Sequence, residues 1–160
     1  MLKRRLTFGF AAVAVILIAV LWWESRVNLS ALEEPGLLET WAATTAKRRL
    51  IARAAEEVPP RPARDGAAVA MGGMQFRADC AACHGSDGRT PTDIGKWMSP
   101  RAPDLSSPEV QAWSDAELFW IIKHGVKMTG MPGFGRVHPD ERIWHLVFYV
   151  REMGKKSSNP

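Results

Sequence analysis

The sequence predicts an all-α protein, and three observations carry that prediction. Apolar residues recur at helical spacing in segments that open with helix start signals, and no stretch alternates convincingly as a strand. Proline and glycine collect in the intervals between those segments. The expected architecture is a small helical domain over residues 67–160, preceded by an apolar N-terminal segment within residues 1–29 and a helical spacer over residues 30–66. A chain of 160 residues is long enough for one such core with an appendage, and too short for two full-sized domains.

Charge narrows the function classes. The pI near 9.4 and net charge of +4 could suggest a nucleic-acid or anionic partner, so the placement of the charge matters. From residue 67 onward, eleven Lys and Arg stand against ten Asp and Glu, whereas the first 66 residues hold ten against seven. The basicity belongs to the amino terminus, with Lys3, Arg4 and Arg5 prominent, and no nucleic-acid face is expected.

The N-terminal run from residue 6 to residue 23 is uncharged and, at ~1.5 Å per helical residue, covers ~27 Å. It reads as a transmembrane helix in contact with the lipid bilayer. The basic start lies in the cytoplasm, Trp22 and Trp23 at the far interface, and everything after them outside. A cleaved signal peptide would share this orientation. The run exceeds the usual signal core, however, and no small-x-small cleavage site follows it.

The spacer should contain one helix. Ser30 and Glu33 have capping-box spacing, Pro35-Gly36 marks a turn, and residues 37–57 contain neither Pro nor Gly. Pro59, Pro60 and Pro62 end it. Ala43, Ala46, Leu50 and Ala54 form one stripe beside Lys47, Arg48, Arg49 and Arg53. Such a helix serves either as a solvated stalk or as a docking helix for a partner subunit or anionic headgroups. Its small residues bury little area, which favours the stalk.

Residues 67–160 carry the chemistry. A first helix over residues 67–79, weakened by Gly72 and Gly73, leads into Cys80-Ala81-Ala82-Cys83-His84. This is the CxxCH pattern, in which two thiols add across the vinyl groups of a haem and the histidine binds its iron. The spacing lets one turn of backbone present two sulfurs to one porphyrin edge and an imidazole beneath the metal. A thioredoxin-like pair would sit beside a βαβ pattern, and a tetrahedral zinc site would need further ligands. A structural disulfide would leave His84 unexplained.

Residues 86–113 read as a loop that wraps the haem, with Trp97 and Arg101 either propionate partners or surface packing residues. Ser114 and Glu117 make a capping box for a middle helix, in which Leu118, Ile121, Ile122 and Gly125 follow i, i+3, i+4, i+7. Pro139, Asp140 and Glu141 start a last helix with Ile143, Val147 and Val150 inward. Met98, Met128, Met131, His124, His138 and His145 are the candidates for a second axial ligand, since low-spin electron-transfer haems close that position with Met or His. Met131 stands in the irregular Gly130-Met131-Pro132-Gly133-Phe134-Gly135 loop. Met98 and Met153 read as core packing, and His138 and His145 as structural.

Together, Ala81-Ala82-Cys83-His84-Gly85, Ala102-Pro103-Asp104-Leu105 and Gly130-Met131-Pro132-Gly133-Phe134 resemble the class I c-type cytochromes, particularly the single-haem, membrane-anchored bacterial kind. The resemblance covers about residues 67–154. It implies the small class I cytochrome c fold around one covalent haem c, attached through Cys80, Cys83 and His84. Met131 becomes the distal iron ligand, Pro103 the carbonyl partner of the His84 Nδ1, and Leu105 a packing residue on the haem. It also implies a crossing of the first and last helices in which Gly73 and Phe76 meet Trp144 or Tyr149.

The function so implied is single-electron transfer without a substrate site of its own. The protein would be either a tethered carrier serving redox partner proteins or a haem subunit of a membrane respiratory or dehydrogenase complex. The expected location is a single pass in the bacterial cytoplasmic membrane, with the haem domain in the periplasm. A peroxidase or gas sensor would need an open iron position, which Met131 argues against. Lys123, Lys127 and Arg136 flank the Met131 loop as a possible docking patch, or as solvated charges.

Overall fold

The computed structural model describes residues 2–26 and 30–157 of the chain. Helices account for all the regular structure among the described residues, and no strand occurs among them. The chain divides into two compact units, residues 1–30 and residues 31–160.

The first unit is helix α1 (Leu2–Glu24), closed by a hydrogen bond from the Ser25 hydroxyl to the Trp22 carbonyl at 2.7 Å. Its described side chains correct one expectation. No helix among the described residues is long and apolar enough to cross a membrane, so the single-pass location in a bacterial membrane is not upheld.

The second unit begins with α2 (Leu37–Ala54), which opens behind Gly36 and runs into a 3-10 turn, Ala55–Glu57. A proline-rich exit leads to α3 (Gly66–Asp79), whose first turn is capped by the Asp65 carboxylate accepting from the Ala68 amide at 2.7 Å. A single turn, α4 (Ala81–His84), follows directly. The segment expected as plain loop contains two further short helices, α5 (Asp93–Trp97) and α6 (Pro108–Gln111). Both are too short to show a hydrophobic period. Their sequence signal lies in the caps, Thr92 accepting from Gly95 and Ser107 from Val110, with Pro108 opening α6. The capping box at Ser114 and Glu117 forms as expected and starts α7 (Asp115–His124). After a 3-10 turn, Phe134–Arg136, comes α8 (Asp140–Ser157), the last described helix.

The core gathers on α8. Ile143, Val147 and Val150 are buried, as their spacing predicted, together with Leu146 and Phe148. On one side α3 crosses α8 at Gly72 and Gly73. A Cβ on Gly73 would stand 2.8 Å from the Tyr149 ring, and Phe76 meets that ring at 5.4 Å between centroids. The aromatic partner is thus Tyr149. Trp144 turns to the other side, where its ring lies 4.6 Å from Phe119 of α7.

Helix α2 is no solvated stalk. Ile51 and Ala55 are buried, and Ile51 belongs to the same apolar cluster as Trp113, Leu118 and Val150. The inward face lies one residue round the helix from the alanine stripe: Leu50 is 64% exposed whereas Ile51 is 3% exposed. The larger β-branched side chain buries more apolar area than the alanines beside it, and that sets the rotation.

Candidate haem site

The attachment turn is delivered by the end of α3. The Cys80 amide donates to the Phe76 carbonyl at 2.9 Å, so Cys80 still belongs to the helix. The His84 amide returns to the Cys80 carbonyl at 3.0 Å, and Gly85, with φ of 77°, breaks the turn by entering a region that side chains disfavour. Both cysteines are free thiols and half-buried. Burial, with Asp79 and Cys83 acting in the same direction, pushes the Cys80 thiol up to about 12, so it is neutral at physiological pH.

The following loop is fastened onto this turn. Thr92 gives its amide to the Cys83 carbonyl at 3.1 Å and its hydroxyl to the Ala82 carbonyl at 2.6 Å. A Cβ at Gly95 would stand 2.1 Å from the Cys83 carbonyl oxygen, so only glycine lets α5 pack this closely. These contacts hold the cysteines at fixed spacing from the histidine.

His84 is buried, and its Nδ1 lies 3.1 Å from the Pro103 carbonyl oxygen. Because a carbonyl only accepts, Nδ1 carries the proton and Nε2 keeps its lone pair. Burial lowers the His84 pKa below 6.5 and outweighs the opposing pull of the Pro103 carbonyl. The ring is therefore a neutral imidazole of fixed tautomer, the form that a metal requires.

Pro103 and Leu105 sit on a braced segment. The Leu105 amide bonds the Gly88 carbonyl at 2.8 Å, and Asp104 folds the next residue back by accepting from the Ser106 amide and hydroxyl, each at 2.7 Å. Gln111, which the sequence did not single out, donates to both the Leu105 and Val150 carbonyls, tying this segment to α8.

The Met131 loop follows α7. Gly125 ends α7 with φ of 68°, and a Cβ there would stand 2.6 Å from the Met131 carbonyl oxygen. The Val126 amide meets that oxygen at 3.2 Å, and the Thr129 hydroxyl both donates to Val126 and accepts from the Met131 amide. Met131 is half-buried against the core.

One cavity joins these parts. Cys80, Cys83, His84, Pro103, Leu105 and Met131 all lie on its wall, which is mostly apolar. Its space is about 1240 Å³ including the solvent at its mouth. The other sequence candidates distribute unevenly. Met98 lies on the same wall, not in the core, with its sulfur beside Gly130. Met128 is 97% exposed and off the wall. Met153 is buried in the core. His145 is buried on α8, and His124 stacks near Trp120. His138 Nε2 pairs with Asp79 Oδ2 at 2.9 Å, Asp79 itself lying on the wall. Arg101 reaches the wall and pairs with Glu34 at 2.6 Å, while Trp97 is exposed and off it.

The residues fit a covalent haem. Two thiols lie on one turn, a buried imidazole is oriented by the Pro103 carbonyl, and a methionine lies on the wall of the same apolar cavity. Bound there, haem supplies an iron that gains and loses single electrons.

Comparison with known proteins agrees. Residues 67–150 match the family model described as cytochrome c oxidase, cbb3-type, subunit III. No curated protein sequence matches the chain. Among solved structures, a chain of the reducing HAO-like protein complex of Kuenenia stuttgartiensis aligns at a TM-score of 0.56 and 19% identity, over 61% of this chain. That alignment spans about half (48%) of the other chain, and at such identity it is a likeness of fold. The family match takes in the attachment turn, the Pro103 brace and the Met131 loop, and the chain therefore belongs to the cbb3-type cytochrome c oxidase subunit III family as a class I c-type cytochrome carrying haem c.

Proposed function

We propose that this cytochrome transfers single electrons through an iron held by His84 and Met131. It would act either as a carrier or as the haem subunit of a larger redox complex, with no substrate site of its own. The haem-carrying part is residues 67–160, with helix α2 of the spacer packed against it through Ile51. The observation that carries this reading is that the oriented imidazole of His84 and the Met131 side chain lie on one apolar cavity. A thioether ligand favours ferrous iron and closes the position a substrate would need. The family's description as an oxidase subunit supports the second of the two settings. Of the three cations flanking the Met131 loop, Lys123 is paired with Asp140 at 2.6 Å.

The test is spectroscopic. Met131→Ala should abolish the weak far-red band of a sulfur–iron bond and open the ferric haem to cyanide, while Met128→Ala and Met98→Ala leave both unchanged. Loss of the band in Met98→Ala with retention in Met131→Ala would transfer the distal role to Met98, which shares the cavity wall.

A further inference from the structure

We propose that α2 is a wall of the haem cavity, and that Lys47 on that wall is the cation that pairs with a haem propionate. The proposal rests on the haem reading above and goes beyond the family match, because Lys47 lies outside residues 67–150.

Four observations support it. Lys47, Ile51 and Ala55 are spaced i, i+4, i+8, which places them on one face of the helix. Ile51 and Ala55 of that face are buried against the core, so the Lys47 side chain is directed inward, and it lies on the cavity wall. Its neighbour Arg48 stacks over Trp113, another wall residue, at 4.6 Å from the ring centroid. That contact fixes the rotation of α2 beside the cavity.

Among the charged groups on the cavity wall, Lys47 is the cation without an ion-pair partner among the described residues. Asp79 accepts a hydrogen bond from His138, Arg101 is paired with Glu34, and the His84 Nδ1 is held by the Pro103 carbonyl, while the two thiols are consumed by attachment. Lys47 forms no salt bridge among the described residues, and Arg48 beside it repels its charge. Burial and that repulsion both lower its pKa. An ammonium held against an apolar wall calls for an anion, and haem brings two carboxylates into this space.

The experiment uses the holoprotein and follows the midpoint potential as a function of pH in the native chain, Lys47→Gln and Lys47→Arg. A nearby cation depresses a carboxylate pKa by ~1 unit or more. Lys47→Gln should therefore move the pH-dependent step of the potential upward by ~1 pH unit, and lower the potential at neutral pH by removing a positive charge near the iron. Lys47→Arg should restore both. Lys96→Gln, on the exposed side of α5 and off the cavity wall, should change neither.

An unmoved pH profile in Lys47→Gln, with far-ultraviolet dichroism and haem absorption intact, would overturn the role of Lys47 alone. A profile moved equally by Lys47→Gln and Lys47→Arg would overturn it too, because it would mark a packing effect. Absence of a reversible one-electron couple in the native chain would bring down the haem reading and this proposal together. If Lys47→Gln does not accumulate folded, the native-like behaviour of Lys47→Arg against that of Lys47→Met decides the matter: equal profiles for Lys47→Arg and Lys47→Met overturn the pairing.

Discussion

Gly72 lies against the backbone of His145 so closely that a Cβ on it would stand 2.0 Å from the His145 carbonyl oxygen. This contact sets the crossing of α3 over α8, and α3 delivers Cys80 to the cavity. A backbone atom cannot swing aside as a side chain can, so Gly72→Ala must push the helices apart. We expect a loss of ~3 kcal/mol, at the upper end of ordinary overpacking. Gly66, with no atom near its Cβ position, is the control: Gly66→Ala should leave stability unchanged or raise it slightly. Thermal unfolding of the two variants gives the comparison, and equal melting temperatures would refute the close crossing.

The rotation of α2 is testable by two neighbouring residues. Ile51→Ala removes a buried side chain from the cluster shared with Trp113 and Leu118 and should cost ~2–5 kcal/mol. Leu50→Ala removes one that is 64% exposed and should cost less than ~0.5 kcal/mol. Denaturant titration measures both. If Leu50→Ala proved the more damaging, the alanine stripe would be the packed face after all.

Acid should weaken the domain in a defined direction. The folded His84 has a pKa below its ordinary 6.5, so between those two values the unfolded chain binds more protons than the folded one. Stability therefore rises with pH across that window. The contribution is complete above pH 6.5 and is lost as pH falls through the folded pKa. Iron on Nε2 acts in the same sense, since a proton competes with the metal. Unfolding midpoints taken from pH 7.5 downward should fall as the solution becomes more acid, with loss of the low-spin spectrum. A midpoint that rose on acidification would contradict the buried neutral imidazole.

Covalent attachment has a direct readout. Cys80 and Cys83 are the two cysteines of the chain, and both are free. Haem should remain on the polypeptide through denaturing electrophoresis, and the double substitution Cys80→Ala with Cys83→Ala should release it. Retention of peroxidase staining in the double variant would remove the attachment assignment.

The local chemistry was legible in the sequence wherever it depends on residues close together along the chain. The CxxCH turn, the Ser114–Glu117 capping box and the inward stripe of α8 follow from spacing alone, because helical hydrogen bonds and side-chain periods are short-range. The one-turn helices α5 and α6 escaped, being shorter than the period needed to see them. Their capping residues, Thr92 and Ser107, were the available signal.

What only the tertiary structure decided is which distant surfaces meet. Nothing in the order of residues placed Ile51 against Trp113, put Lys47 and Met98 on the haem cavity, or turned Trp144 toward Phe119 rather than toward Gly73. The sequence by itself determined an all-α class I cytochrome, its attachment turn and the methionine loop. The face that α2 buries was settled by competition. Apolar area is non-directional, so a stripe of small alanines and a stripe containing Ile51 are both admissible until the facing helix exists, and the larger buried area then wins.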